Sequence, residues 1–119
     1  MEKTVLVVDD QIGIRLLLEE VIQQEGYKVE VAVNGKEALD KVQNNQPDMM
    51  MLDYKLPIID GPNLVKQLEE QNRMIPTIIM SGLPDKAEVE MKKFASVKKI
   101  IGKPFQLNDI RILVHDLLG

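Results

Sequence analysis

Cysteine and tryptophan are absent from this 119-residue chain, and its aromatic side chains are two tyrosines and two phenylalanines. Without cysteine there are no disulfides, no thiol nucleophile and no thiolate metal site. No apolar run approaches the roughly 20 residues of a membrane span. Met1-Glu2-Lys3 runs straight into a strand-like segment, without the layout of a signal peptide. A cytoplasmic protein is therefore the expectation. Basic residues are outnumbered, 15 Lys and Arg against 19 Asp and Glu, for a formal charge of -4. That argues against nucleic acid or an anionic membrane as the main partner, since both favour a basic surface.

What the chain does have is a hydrophobic fraction of 45%, enough for one core in a domain of this length. Residues 4–8, 48–52, 76–80 and 98–101 are short, continuous apolar runs with little polar alternation. Such runs suit parallel strands covered on both faces. Residues 29–33 form a weaker candidate, nearer a sheet edge. Helical spacing separates these runs. Ile14, Leu17, Leu18, Val21 and Ile22 make one stripe, ended by Gly26. Asn34 is placed to cap a second helix carrying Ala38, Leu39 and Val42. Asp60, with Pro62 in the first turn, starts a third, and Asp85 a fourth reaching about Phe94. Gln106 or Asn108 opens the last, with Ile110, Leu113, Val114 and Leu117 inward.

Five β-α units in alternation predict an α/β fold: a parallel sheet with five helices on both faces, joined by right-handed crossovers. A flavodoxin-like strand order, 2-1-3-4-5, is the natural arrangement. There is no internal repeat, low-complexity segment or linker, so 1–119 reads as a single domain with no output domain.

In open parallel sheets, ligands bind at the carboxyl ends of the strands. Asp9 and Asp10 follow the first strand, Asp53 ends the third, Ser81 follows the fourth, and Lys103-Pro104 follows the fifth. Three carboxylates crowded together repel, and a cation relieves them. Oxygen-only ligands favour a hard ion, Mg²⁺ or Mn²⁺. A carboxylate nucleophile beside a metal and a lysine outlines a phosphoryl-transfer site, with a hydroxyl to donate a hydrogen bond. Taken singly, the aspartates would serve as helix caps, and the lysine and serine as solvated loop residues. Their register on four strand ends favours the chemical reading.

These residues resemble those of the bacterial response-regulator receiver (CheY-like) domains. The matching stretches are VLVVDD (5–10), MMMLDYKLPIIDG (49–61), IIMSG (78–82) and KPF (103–105), and the likeness covers essentially the whole chain. The resemblance implies Asp53 as the phosphorylated nucleophile. It implies Asp10, Asp53 and the backbone carbonyl of Lys55 as Mg²⁺ ligands, with Asp9 acting mainly through a metal-bound water. Ser81 and Lys103 would contact the phosphoryl oxygens, and Lys103-Pro104 would be a cis peptide. Residues 9–21, DDQIGIRLLLEEV, are similar to single-domain phosphorelay receivers of sporulation signalling. In those proteins the first helix and the site loops dock a histidine-bearing four-helix bundle. Gln11, Gly13, Ile14, Leu17 and Pro104 are the docking candidates carried over. A sensor histidine kinase and a histidine phosphotransferase are the implied partners, with an aspartyl-phosphate phosphatase as a further one.

Departures from the receiver pattern shape the expectation. Ile100 stands where an aromatic or histidine is common, which argues against an aromatic switch. Ser81 replaces the commoner threonine. Ile58-Ile59 replaces Gly-Met and predicts a stiffer loop. Leu83-Pro84 is unusual at the start of the fourth helix, and Ile12 stands at the mouth of the site. Met49, Met50 and Met51 read as core filler. His115, the single histidine, reads as a packing or surface residue, and Lys92, Lys93, Lys98 and Lys99 as a solvated basic stretch. Two readings of function compete. One is a phosphorelay intermediate that passes its phosphoryl group to histidine. The other is a stand-alone chemotaxis-type receiver whose phosphorylated surface binds a target. An Asp-x-Asp phosphatase is disfavoured by the adjacent pair on the first strand, and a flavodoxin by its acidic loop.

Overall fold

The computed structural model describes residues 2–119. In chain order it comprises β1 (Thr4–Val8), α1 (Ile12–Gln24), β2 (Lys28–Ala32), α2 (Gly35–Asn44) and β3 (Met49–Asp53). There follow α3 (Gly61–Glu70), β4 (Thr77–Ser81), α4 (Pro84–Met91), β5 (Val97–Gly102) and α5 (Leu107–Leu118). The five strands form one parallel sheet in the order β2-β1-β3-β4-β5, as the alternation predicts.

Strand periodicity splits the core in two. Val5, Val7, Met49, Met51, Ile78 and Met80 point to one face, under Leu18 and Ile22 of α1 and Ile110 and Val114 of α5. Leu6, Val8, Met50, Leu52 and Ile79 point to the other, under Ala38 and Val42 of α2, Leu64 and Leu68 of α3, and Ala87 and Met91 of α4. Successive side chains of a strand must alternate, so an unbroken apolar run serves both faces at once. The three methionines do this: Met50 joins one core, Met49 and Met51 the other. Each fully buried side chain of this size contributes about 1.5–3 kcal/mol.

Helix ends follow local chemistry. Asn34 accepts the Glu37 N–H at 2.8 Å, and Asp60 accepts the Asn63 N–H at 2.9 Å, so both cap as expected. Gly26, at φ 93°, ends α1 with its N–H on Gln23 O and the Tyr27 N–H on Ile22 O. The fourth helix differs from the expectation. It starts one residue before Asp85, at Pro84, with Leu83 in the cap position and no side-chain cap. Proline's fixed φ suits the first helical position, which leaves Asp85 inside the first turn, near the positive end of the helix dipole. The helix also stops at Met91, and Phe94 turns back onto the core with its N–H on Met91 O. β2 lies one residue earlier than residues 29–33, because pairing with Thr4–Val8 sets its ends. Lys98 is the extra residue of a bulge between the pairs Thr77–Val97 and Ile78–Lys99. Leu17 sits at the edge of the α1 stripe and is half-exposed rather than core.

Two loop positions carry the site's outer frame. A Cβ on Gly35 would lie 1.9 Å from the carbonyl oxygen of Ile59, so the loop after β3 rests directly on the start of α2. In that loop Ile58 has φ 71° and is 72% exposed. A β-branched residue in the left-handed region is strained.

Two stability changes are expected, both measurable by urea denaturation. Gly35→Ala should destabilise by about 1–3 kcal/mol, because backbone must move to admit the methyl group. Ile58→Gly should stabilise by about 1 kcal/mol, as strain relief exceeds the entropy lost. A Gly35→Ala variant as stable as wild type would contradict the close packing of this loop.

Candidate functional site

All five strands point the same way, so their carboxyl ends share one edge. That edge gathers Asp9 and Asp10 after β1, Asp53 at the end of β3, Ser81 at the end of β4 and Lys103 after β5. Carboxylate oxygens of Asp9, Asp10 and Asp53 lie within 4.8 Å of one another. Asp9 is fully buried and Asp53 nearly so, whereas Asp10 is exposed. Asp10, Gln11, Asp53, Lys55, Ser81 and Lys103 line a cleft of about 330 Å³.

The three carboxylates are not equivalent. Both oxygens of Asp9 are engaged: Oδ1 accepts the Gln11 N–H at 2.9 Å and Oδ2 accepts Lys103 Nζ at 2.8 Å. Arg15 adds a hydrogen bond to the Asp9 carbonyl at 2.8 Å, fixing the loop. Lys103 Nζ also stands 3.4 Å from Asp53 Oδ1. The ammonium thus bridges two buried carboxylates and holds the nearer one, Asp9, more tightly. A buried carboxylate without such a partner would be strongly disfavoured.

Asp53 still titrates above the ordinary carboxylate range. Burial is the largest cause, followed by repulsion from Asp9, while Lys103 opposes both and Asp10 adds a smaller push. The cluster therefore holds excess negative charge after Lys103 is counted. Its donor atoms are all oxygens. This set fits a hard divalent cation such as Mg²⁺. Asp10 and Asp53 both offer carboxylate oxygens to it, and Lys55 lines the same cleft. Asp9, with both oxygens engaged, is suited to a water-mediated role. Ser81 accepts the Leu83 N–H on Oγ at 2.9 Å, and its own hydroxyl hydrogen remains available to donate.

The Lys103–Pro104 peptide is cis, as the resemblance implied. Gln11, Gly13 and Pro104 are exposed around the site, and Leu17 is half-exposed on α1. Ile14 is partly buried and packs on the core beneath α1 and α5, so much of its surface is committed to the fold. Leu16, which the stripe reading omits, is 59% exposed beside Ile12 at 65%. Ile100 packs on the core under α2, α3 and α4, without a polar atom in its side chain. His115 lies at the opposite end of the sheet, where Nε2 meets Glu25 at 2.6 Å and Nδ1 meets the Tyr27 hydroxyl at 3.0 Å. It packs α5 against the turn before β2 and takes no part in the acidic cluster.

Sequence reasoning missed two groups near the site. Arg15 stands out in the sequence only as part of a matching stretch, although a cation one turn into a helix can reach back to the preceding loop. Tyr54 drew no notice beside Asp53. Its hydroxyl donates to Glu90 on α4, and that bond, reinforced by burial, pushes the phenol up to about 12.

The raised carboxyl of Asp53 has a definite sign for stability. The folded state holds that proton more tightly than the unfolded chain, so the contribution is full below the ordinary carboxylate value and is lost as pH rises through the folded one. Ionised Asp53 thus destabilises the metal-free protein at neutral pH. Asp53→Asn should unfold at higher urea than wild type without divalent cation, and the gap should narrow in acid. A variant no more stable than wild type at neutral pH would refute the account of Asp53.

The chain matches the family model described as response regulator receiver domain over residues 5–115. It is 37% identical to sporulation initiation phosphotransferase F of Bacillus subtilis over 118 residues, 99% of this chain and 95% of that protein. It is 32% identical to the alkaline phosphatase synthesis transcriptional regulatory protein PhoP of the same species, of which it spans about half, 49%. Among solved structures, chemotaxis protein CheY4 of Vibrio cholerae superposes with a TM-score of 0.88 at 30% identity, covering 99% of this chain and 100% of that one. With the strand order, the acidic cluster and these likenesses in agreement, the chain belongs to the response regulator receiver domain family.

Proposed function

We propose that Asp53 accepts a phosphoryl group from a phosphohistidine of a sensor kinase and passes it to a histidine phosphotransferase. The observation that carries this reading is the placement of Asp53 at a strand end, 3.4 Å from Lys103 Nζ and within the carboxylate cluster. In the transfer, an Asp53 oxygen forms a new O–P bond as the N–P bond breaks. The electron pair returns to the ring nitrogen, and a phosphohistidine that carries a proton on its other ring nitrogen leaves as neutral imidazole. Lys103 neutralises charge growing on the phosphoryl oxygens, and Ser81 donates a hydrogen bond to one of them. A Mg²⁺ held by Asp10, Asp53 and the Lys55 carbonyl would supply further neutralisation of the same oxygens.

The likeness to sporulation initiation phosphotransferase F spans nearly the whole of both chains, and it supports a relay role in sporulation signalling. Gln11, Gly13, Ile14, Leu17 and Pro104 are then the contacts for the histidine-bearing partner, and an aspartyl-phosphate phosphatase would reset the site. The likeness to CheY4, over the whole of that chain, favours a second reading, in which phosphorylation controls binding to a target. Ile100 weighs against it, since β5 offers no aromatic side chain there.

Incubation with Mg²⁺ and a small phosphodonor should add one phosphoryl group to wild type and none to Asp53→Asn, as read by intact mass. Equal labelling of the variant would sink the assignment. Asp10→Asn should weaken Mg²⁺ binding by about tenfold or more, since ligand charge sets affinity for a hard cation. Unchanged affinity by calorimetry would remove Asp10 from the ligand set. Transfer from the phosphorylated protein to a histidine phosphotransferase separates the two readings, because only the relay protein passes its phosphoryl group onward.

A further inference from the structure

Helix α4 is held in place by few groups. It has eight residues, no side-chain cap, and only Ala87 and Met91 buried. Val89 in its middle is 71% exposed. A helix this short does not persist on propensity alone, so its position depends on its attachments.

Two attachments lead to the acidic site. At the N-terminal end, Ser81 Oγ accepts the N–H of Leu83, the residue in the cap position of α4. In the C-terminal half, Glu90 accepts the hydroxyl of Tyr54, the residue that directly follows Asp53. Tyr54 is packed into the core along most of its ring and Glu90 is exposed, so this charge-assisted bond joins a buried donor residue to the surface of α4. Its backbone is clamped as well. The Tyr54 N–H donates to Met80 O at 2.9 Å, and its carbonyl accepts the Gly61 N–H at 3.1 Å. The ring is therefore a rigid arm running from the peptide of Asp53 to α4. Ile100, across the same core, has no polar atom with which to make an equivalent link.

We propose that the Tyr54–Glu90 hydrogen bond is a tether that couples the state of Asp53 to the position of α4. The inference rests on the reading of Asp53 as phosphoryl acceptor. In the unloaded protein the tether pins the C-terminal half of α4. When Asp53 is loaded, the Ser81 hydroxyl turns to the phosphoryl oxygens while keeping the Leu83 N–H. The N-terminal end of α4 follows Ser81, and Glu90 stays fixed on Tyr54, so the helix pivots instead of drifting. Without the tether, α4 is loose in both states and reports neither.

Amide hydrogen exchange with mass readout tests this on wild type, Tyr54→Phe, Glu90→Met (which keeps the length of the side chain and removes the acceptor) and the double variant. Each is measured with Mg²⁺ alone and after treatment with Mg²⁺ and a small acyl phosphate. Phosphoryl content is read by intact mass on the same samples. In the unloaded state, α4 amides of either single variant should exchange about tenfold faster than wild type, and the double variant no faster than the singles. Amides of β1 and β3 should be unchanged. Loading should alter α4 exchange in wild type and leave it unaltered in Tyr54→Phe, although both proteins gain the phosphoryl group. Unchanged α4 exchange in the unloaded single variants overturns the tether, as does an equal response to loading in wild type and Tyr54→Phe. Failure of wild type to gain a phosphoryl group is a separate result. It overturns the reading of Asp53 and this inference with it.

Discussion

One ammonium group makes the acidic edge of this sheet compatible with a folded protein. Lys103 Nζ lies 2.8 Å from Asp9 and 3.4 Å from Asp53, and both carboxylates are buried. The lysine is delivered from β5, across β4 and β3 from the strand that supplies Asp9. Without it, two buried anions would face each other with no counter-charge, which burial and mutual repulsion both penalise. With it, the cluster retains enough negative charge to suit a divalent cation. The neutralisation is incomplete: Asp53 stays destabilised as an anion and is primed for a ligand that relieves it.

The arrangement divides labour among three aspartates that look alike in the sequence. Asp9 spends both oxygens on Gln11 and Lys103 and so acts as a counter-ion and spacer. Asp10 is exposed and available to a cation. Asp53 is buried beside Lys103 at the strand terminus, on the wall of the cleft. Each role follows from burial and hydrogen-bond partners, which depend on where neighbouring strands end. The surrounding loops frame the site. Ile58, strained and exposed, stands where glycine would be unstrained. Tyr54 reaches α4 on a side where Ile100 offers no polar link.

Four apolar runs and a weaker fifth at parallel-strand length, separated by helical stripes, left little room for another fold, because the central runs had to serve two buried faces. The caps at Asn34 and Asp60 were legible because a side chain that accepts its own helix's N–H acts within three residues. The start of α4 was not, because Asp85 is as good a cap by composition as those two. Pro84 made the difference, since its fixed φ placed the first helical residue ahead of Asp85. Leu17 falls within the apolar stripe of α1, and a stripe has no sharp edge in sequence. Only the packing of α1 on the sheet shows which side of that edge it occupies.

The sequence by itself determined that few strand orders were open, which five chemical groups meet at the sheet edge, and that Asp53 is the acceptor candidate. Those are properties of periodicity and of residue type at strand ends, both local in the chain. Tertiary structure alone decided which carboxylate Lys103 holds, why Asp53 titrates high, and that Tyr54 meets Glu90 across 36 positions. These are relations between groups distant in the chain. Coulomb interactions and hydrogen bonds act over a few ångströms of space, and the fold sets which residues come within that range.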